Sequence, residues 1–214
     1  KKWGSKTGDF WCCHCTAVQA NANYREFIYY GGEDSLTVAQ YIPSDLETVL
    51  GGQPVALRQR AADVSGPFLK FGEEKLPLAQ RPNFWAFRFE VRARGQEFTL
   101  RLRAPWWLKG APVCLVNGQK QEAAVENGWL CLRRRWQEDT VELLLPKGLS
   151  CFPLADRPDT AAFLDGPVVL AGLTDRQRVL TGDPGRPETM LRLQDEREWE
   201  NWQDVYCTVN QEES

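Results

Sequence analysis

Apolar and polar residues alternate along several segments of the chain, which is the pattern of half-buried β-strands. The longest alternating segment covers residues 84–94, where aromatic and aliphatic positions alternate with basic ones, and shorter segments cover residues 36–42 and 98–103. Pro43 ends the first of these segments in chain order. Gly95 is predicted to turn the chain, so that residues 98–103 return as the antiparallel partner of residues 84–94.

Further strands follow in the second half of the chain and are separated by turn signals. They are predicted at residues 113–116, 129–133, 140–145, 161–164 and 168–171. Asn117-Gly118 is the strongest hairpin signal, and turns are also predicted at residues 136–139 and at Asp165-Gly166-Pro167. Short strands at intervals of about 8 to 12 residues indicate an antiparallel β-sandwich.

The N-terminal part of the chain has a different pattern. Residues 13–28 are compatible with one short helix, which Gly31-Gly32 ends. The fold class is therefore predicted to be mainly β, with one or more antiparallel β-sandwich domains after a helix. We expect a helical region at residues 1–30, a β-sandwich domain at 31–148, and a shorter β segment at 149–214 that packs on the sandwich or completes it.

The composition agrees with strands and excludes two classes of partner. Nine Trp, ten Phe and five Tyr stand against one Met, and aromatic side chains favour strands. The 26 basic and 29 acidic residues give a net charge of -3, which provides no general attraction for a phosphate backbone. No stretch approaches the roughly 18 consecutive apolar residues of a membrane helix. We therefore expect neither nucleic acid nor a membrane as a partner.

Three of the seven cysteines and the single histidine fall in the run Cys12-Cys13-His14-Cys15. Thiolate sulfur binds zinc tightly, and bound zinc lowers the pKa of a thiol, so a cysteine here is a candidate zinc ligand, nucleophile, or both. Four consecutive residues cannot close a tetrahedral site, because neighbouring side chains diverge. The other four cysteines are scattered singly, so we expect any missing ligands to precede Lys1.

Other interpretations of this run remain open. The three cysteines are equally compatible with small buried hydrophobic residues or disulfide partners, and His14 with a polar contact rather than a ligand. An odd number of cysteines leaves at least one thiol free within the chain, which slightly favours a cytoplasmic, reducing compartment. The pair Trp106-Trp107 is compatible with stacking on a sugar ring or with packing at the sandwich edge.

Six segments together resemble, in their order, the cysteine-dependent β-L-arabinofuranosidases of glycoside hydrolase family 127. The segments are Phe10–Thr16, Phe27–Tyr30, Leu36–Pro43, Leu100–Trp106, Val116–Gly118 and Leu164–Ala171. The resemblance implies a helical (α/α) toroid followed by β-sandwich domains. This chain is similar to the last toroid helix and the sandwiches, so we expect it to be a C-terminal portion of such an enzyme, with the rest of the toroid before it.

The resemblance also implies roles for individual residues. Cys12 aligns with the family's proposed nucleophile, which is also a zinc ligand, and Cys13 aligns with a second zinc ligand. In the family the remaining ligands, a glutamate and a third cysteine, and the acid/base glutamate precede this pair. Trp11 and His14 adjoin the pair and are candidates for contact with the substrate.

Two functions from different classes follow from these observations. The first is a retaining glycoside hydrolase with a zinc-bound cysteine nucleophile and a carbohydrate substrate. The second is a non-catalytic carbohydrate-binding or structural β-sandwich module. Either function is compatible with a protein partner, namely an upstream helical domain or a second copy of the chain in a homodimer.

Overall fold

Strands make up most of the described chain, which confirms the mainly-β fold class. The computed structural model describes residues 12–62, 68–71, 74–77, 84–122, 124–172, 178–193, 206–209 and 212–213. The strands are β1 (Tyr29–Gly31), β2 (Ser35–Val38), β3 (Ser44–Leu50), β4 (Gln53–Ala61), β5 (Phe68–Phe71), β6 (Glu74–Pro77), β7 (Phe84–Arg103), β8 (Val113–Val116), β9 (Gln119–Gln121), β10 (Val125–Glu126), β11 (Trp129–Pro146), β12 (Leu149–Pro153), β13 (Ala161–Asp165), β14 (Val168–Val169), β15 (Arg178–Val179), β16 (Leu191–Leu193), β17 (Tyr206–Thr208) and β18 (Glu212–Glu213).

One α-helix, α1 (Cys12–Asn23), precedes these strands, and a 3₁₀ helix at Tyr24–Phe27 continues it. A second 3₁₀ helix covers Pro187–Thr189. The prediction that Gly31-Gly32 ends the first helix is wrong, because the chain is already extended as β1 and paired with β2 before it reaches Gly32. No helix among the described residues is long and apolar enough to cross a bilayer.

Nine strands form one large sheet. Its main order is β1-β2-β7-β11-β8-β9, while β4 also pairs with β7, β3 pairs with β4, and β10 pairs with β11. Every pairing in it is antiparallel except that of β2 with β7, which is parallel. The chain can place β2 parallel to β7 because β3 and β4 lie between them in sequence and supply the long crossover that a parallel pair needs.

Two long strands, β7 and β11, form the centre of this sheet and pair along their whole length. The prediction that Gly95 turns the chain is therefore wrong, and so is the predicted turn at residues 136–139. Gly95 has a positive φ of 75°, and the register places Ala93, Arg94 and Gly95 opposite Gln137 alone. This irregularity is a β-bulge, which bends both strands without ending them.

The bulge also changes which residues face the interior. Phe89 and Val91 are fully buried before it, whereas Phe98 and Leu100 are fully buried after it, so the buried positions change from odd to even numbers. All four belong to one continuous hydrophobic core. The two halves of each long strand thus face the same interior, and the sheet folds over at the bulge into a two-layer sandwich.

Trp136 occupies the centre of this core and has no exposed surface. Its indole Nε1–H donates a hydrogen bond to the Phe98 carbonyl oxygen at 3.0 Å, and its ring lies 5.7 Å from that of Phe98. A buried indole N–H needs such a partner. The bond therefore connects the two long strands beside the bulge and satisfies the buried N–H group of Trp136.

The hairpin predicted at Asn117-Gly118 is confirmed. Both residues have positive φ, 52° and 77°, and the turn joins β8 to β9. This pair of φ values belongs to a type I′ turn, which suits the twist of the flanking strands. The turn at Asp165-Gly166-Pro167 is confirmed as well, because β13 and β14 pair across it and Gly166 has a φ of 59°.

Asn117 is held by two side-chain bonds, so we expect Asn117→Ala to lower the free energy of unfolding by about 2 kcal/mol. Its Nδ2 donates to Asp139 Oδ1 at 2.7 Å, and its Oδ1 accepts from the Thr140 backbone N–H at 2.8 Å. Asn117→Gly keeps the favourable backbone conformation and loses only these bonds, so it should cost about half as much. Urea unfolding of both variants measures the difference, and equal losses would contradict a role for the left-handed conformation.

A second, three-stranded sheet of β12, β13 and β14 follows the large one. Lys147 lies directly after β11, and its ammonium group forms an ion pair with Asp165 at the end of β13. Only 7% of the Lys147 side chain and 3% of the Asp165 side chain are exposed. A buried ion pair therefore ties the small sheet to the end of the large one.

Candidate functional site

The cysteine run opens helix α1, which begins at Cys12. Cys12, Cys13 and His14 lie in the first helical turn, and for these residues the structure describes the backbone and not the side chains. Trp11 lies outside the described residues. The roles assigned to these four residues from the sequence therefore stay predictions, although the secondary structure around them is defined.

The start of a helix is a favourable place for a thiolate. The first N–H groups of a helix have no partner within the helix, and the aligned peptide dipoles place partial positive charge at this end. Both effects favour negative charge at the start of a helix in general. The first turn of α1 contains no acidic residue that would oppose them.

The number of ligands limits how the pair can hold a metal ion. A tetrahedral zinc site needs four ligands, and Cys12 and Cys13 supply at most two of them. Among the residues with described side chains, no group of three or more His, Cys, Asp or Glu residues is suited to a metal ion. Two thiolates are suitable zinc donors by their chemistry, and they need further ligands from elsewhere.

The connection from α1 to the sandwich is anchored at Ile28 and Tyr29. Ile28 is buried, and its carbonyl oxygen accepts a hydrogen bond of 2.8 Å from the Ala39 backbone N–H. The Tyr29 hydroxyl lies 2.9 Å from Ser44 Oγ, which also accepts a bond of 3.2 Å from Gln59 Nε2. The end of the 3₁₀ helix is thus fixed on the sheet, four residues after α1 ends.

Two described carboxylates near α1 in sequence, Asp34 and Asp45, are paired with arginines on the surface. Asp34 lies 2.9 Å from Arg133. Asp45 lies 2.8 Å from Arg60 and 3.2 Å from Arg58. Desolvation pushes the pKa of Asp45 upward, but the hydrogen bonds from Arg60 and Arg58 outweigh it and lower that pKa below its ordinary value. Asp45 is therefore ionised at neutral pH and unsuited to be a proton donor.

Three further cysteines, at positions 114, 131 and 151, lie on strands as free thiols. Cys114 belongs to the core and is 1% exposed, and burial raises its pKa to about 12. Burial also raises the pKa of Cys151. A raised pKa removes the thiolate that a nucleophile or a zinc ligand requires, so Cys114 fits the role of a small hydrophobic residue.

We expect Cys114 to resist alkylation in the folded protein. Because its pKa of about 12 lies far above pH 8, its thiolate fraction at pH 8 is negligible, and it rises only as the pH approaches that pKa. Iodoacetamide at pH 8 followed by peptide mass mapping should label the half-buried Cys131 well before Cys114. The same reagent in urea should label both at similar rates. Equal labelling of the folded protein would contradict the burial of Cys114.

The neighbouring tryptophans at 106 and 107 have opposite environments. Trp107 is 7% exposed and belongs to the core, where its ring lies 5.4 Å from that of Trp85. Trp106 is 68% exposed, and its ring meets the edge of Phe152 at 5.7 Å and 83°. Packing in the core is thus the right interpretation for Trp107, whereas Trp106 is compatible with both interpretations. Phe152 carries no distinguishing signal in the sequence, because its contact with Trp106 depends on how the small sheet docks.

A shallow groove of about 320 Å³ lies on the large sheet and was also not anticipated from the sequence. Its walls include Glu122, Glu126, Cys131 and Arg134. The guanidinium of Arg134 lies 5.3 Å from the centre of the Trp136 ring and 3.4 Å from Asp139. Because Arg134 is already engaged with Asp139 and Trp136, we interpret the groove as a feature of the sandwich surface.

Comparison with known proteins places the sandwich in a class of enzyme domains. Residues 35–147, more than half of the 214-residue chain, match the family model of the middle domain of GH127 β-L-arabinofuranosidases. This range contains β2 to β11, so the two-layer sandwich is a domain of glycoside hydrolases. The chain belongs to the GH127 family, which confirms the resemblance of the six sequence segments. None of the curated proteins matches the chain at a significant level.

Solved structures agree with this assignment. Ara127N, a GH127 β-L-arabinofuranosidase from Geobacillus stearothermophilus T6, is 25% identical with a TM-score of 0.58, covering 85% of this chain and 26% of its own. The β-arabinofuranosidase BT3674 is 21% identical with a TM-score of 0.58, over 74% of this chain and 25% of its own. A protein described as a glycoside hydrolase is 18% identical with a TM-score of 0.57, over 74% of this chain and 25% of its own. The last two show likeness of fold alone, and the chain spans about a quarter of each structure.

Proposed function

We propose that the chain is the C-terminal portion of a retaining glycoside hydrolase that cleaves β-L-arabinofuranosides. In this proposal Cys12 is the nucleophile, and Cys12 and Cys13 are zinc ligands. The observation that carries it is the order of elements. A helix that begins at Cys12 leads directly into a sandwich that belongs to the GH127 family. Family membership supports the hydrolase class, and the resemblance of the Cys12-Cys13 segment to the family's cysteine pair supports the choice of nucleophile.

The chemistry of the pair fits zinc, provided that further ligands precede the pair. Zinc, when bound, holds cysteine sulfur as thiolate and keeps it deprotonated at neutral pH. The helix N-terminus acts in the same direction. Trp11 and His14 adjoin the pair, and we assign them to the substrate side, where an aromatic ring and an imidazole can contact a furanose ring and its hydroxyl groups.

The reaction has two displacement steps. In the first, the Cys12 sulfur forms a bond to the anomeric carbon while the bond from that carbon to the leaving oxygen breaks. A carboxylic acid supplied by residues before the pair gives its proton to this oxygen. In the second step the same carboxylate takes a proton from water, whose oxygen displaces the sulfur. The thiolate of Cys12 is regenerated, and two inversions give net retention at the anomeric carbon.

The test is the trapping of a sugar on Cys12. The full-length protein is mixed with a β-L-arabinofuranoside that carries a fast nitrophenolate leaving group, quenched in acid and analysed by intact mass and peptide mapping. We expect one added pentosyl group on the peptide that contains Cys12, and none in Cys12→Ser. Zinc content measured on the same samples should fall in Cys13→Ser. Turnover without any adduct, together with an active Cys12→Ser variant, would exclude the mechanism.

A second candidate function is a non-catalytic carbohydrate-binding module. The exposed Trp106 and Phe152 favour it, because they offer aromatic surface outside the core. The two candidates separate in the trapping experiment. A binding module would retain an arabinofuranosyl oligosaccharide without turnover and without an adduct on Cys12.

A further inference from the structure

The position of Trp106 is fixed by its neighbours in the chain. Strand β7 ends at Arg103, and Trp107 then enters the core, where it is 7% exposed. Trp106 is left on the outside with 68% of its surface exposed. Exposing an indole to water is unfavourable, by about 25 cal/mol for each Å² of apolar surface. Because Trp107 is buried, the neighbouring Trp106 ring stays accessible to a ligand at this surface.

Phe152 supports the ring of Trp106. The two centroids are 5.7 Å apart and the planes meet at 83°, which is the edge-to-face arrangement that aromatic pairs favour. Phe152 itself is 44% exposed, although it lies within β12 and pairs with Ala162 of β13. We call Trp106 and Phe152 the aromatic shelf. Trp106 lies in the turn that follows β7 and Phe152 lies in β12, so two different parts of the fold hold the shelf.

A polar loop borders the aromatic shelf. It covers residues 154–160, begins two residues after Phe152, and joins β12 to β13. Three backbone bonds keep it compact, among them Leu154 N–H to Thr160 O at 2.8 Å and Thr160 N–H to Arg157 O at 2.9 Å. The side chains of Asp156, Arg157 and Asp159 are exposed. Carboxylate and guanidinium groups present hydrogen-bond acceptors and donors in planar pairs.

We propose that the aromatic shelf binds a sugar ring of the carbohydrate on which this family acts. A furanose has one face of C–H groups and a rim of hydroxyl groups. The C–H groups carry partial positive charge and are attracted to the negative face of an indole. The hydroxyl groups can then reach the polar loop. This assignment rests on the carbohydrate substrate of the proposed function, and it adds a site on the sandwich.

The loop also argues against an apolar protein surface as the occupant. Stable protein interfaces exclude charged residues from their centre and place a broad apolar area there. Here three charged side chains stand in a seven-residue loop that begins two residues after Phe152. A sugar satisfies both parts of this surface at once, since it is apolar on one face and polar at its edge.

The experiment measures binding of a short β-L-arabinofuranosyl oligosaccharide by calorimetry. All variants carry Cys12→Ser, so that the probe is not hydrolysed. Trp106→Ala should raise the dissociation constant about tenfold, which corresponds to the loss of one aromatic stacking contact. Trp106→Phe retains a ring and should lose less. The matched control is Phe27→Ala, which removes another exposed aromatic ring, 45% exposed, from the 3₁₀ helix.

Each outcome has a separate meaning. An unchanged dissociation constant in Trp106→Ala, or equal weakening in Phe27→Ala, would overturn the shelf assignment. A change of oligomeric mass in Trp106→Ala, measured by sedimentation without any change in sugar binding, would overturn it in favour of a protein contact. A sugar adduct on Cys12 in the trapping experiment is independent of all three variants, so the proposed hydrolase and the shelf can fail separately. Circular dichroism verifies that each variant is folded.

Discussion

Replacing Cys12 by serine is expected to lower kcat for a chromogenic β-L-arabinofuranoside by about 10⁴-fold or more in the full-length protein. A serine hydroxyl is almost fully protonated at neutral pH, whereas a cysteine thiol ionises far more readily and its thiolate is a strong nucleophile. Serine is also a poorer zinc donor than cysteine. The variant therefore loses the covalent route as well as the ligand, and substrate binding should change much less than the rate.

The matched control is Cys15→Ser, which makes the same atomic change three positions further along the same helix. Its kcat should stay within a few-fold of the wild-type value, because Cys15 has no assigned role in the reaction. Stopped assays at several substrate concentrations separate kcat from KM for both variants. Equal losses at positions 12 and 15 would mean that the cysteine run acts through packing, and the assignment of the nucleophile would be wrong.

Replacing Asp165 by asparagine is expected to lower the free energy of unfolding by about 3 to 5 kcal/mol. The change leaves the buried ammonium group of Lys147, whose side chain is 7% exposed, without the opposite charge that it contacts. Removing the opposite charge from a buried ion pair is costly, because the remaining ammonium group loses a stabilising contact that water does not replace there. Urea unfolding measures the loss. The dependence of the unfolding free energy on urea concentration should stay unchanged, which verifies that the variant unfolds to the same extent.

Two further variants test whether the loss of stability arises from the burial of the ion pair. Asp34→Asn removes the charge from a pair with Arg133 in which both side chains are more than half exposed, and we expect no comparable loss of stability. The double variant Lys147→Met with Asp165→Leu removes both charges and should recover most of the stability lost in Asp165→Asn. A double variant as unstable as the single one would contradict the ion-pair explanation.

The sequence pattern predicts those elements of this fold that depend on neighbouring residues. Asn117-Gly118 identifies its hairpin correctly, because the positive φ that the turn requires is a property of those two residues. Gly95 also has a positive φ, but it lies in a bulge and not in a turn. A single glycine between two alternating segments is compatible with both structures. The pairing of β7 with β11 determines that Gly95 lies in a bulge, and β11 lies far along the chain.

The same distinction applies to the candidate site. The run Cys12-Cys13 is visible in the sequence, and the structure adds that a helix begins there. The opposite environments of Trp106 and Trp107, by contrast, depend on which way the chain leaves β7, and the contact with Phe152 depends on how the small sheet docks. The ion pair of Lys147 with Asp165 is likewise a property of assembled strands. None of these contacts leaves a periodic signal in the sequence.

Because β7 and β11 each run through the bulge and line the interior on both sides of it, the two layers of the sandwich share their central strands. Neither layer can unravel while the other persists, since that would require breaking a strand in its middle. We therefore expect the domain to unfold as one cooperative unit. Its assembly must also wait for partners distant in sequence to meet, which is the property that makes β-rich chains slow to fold.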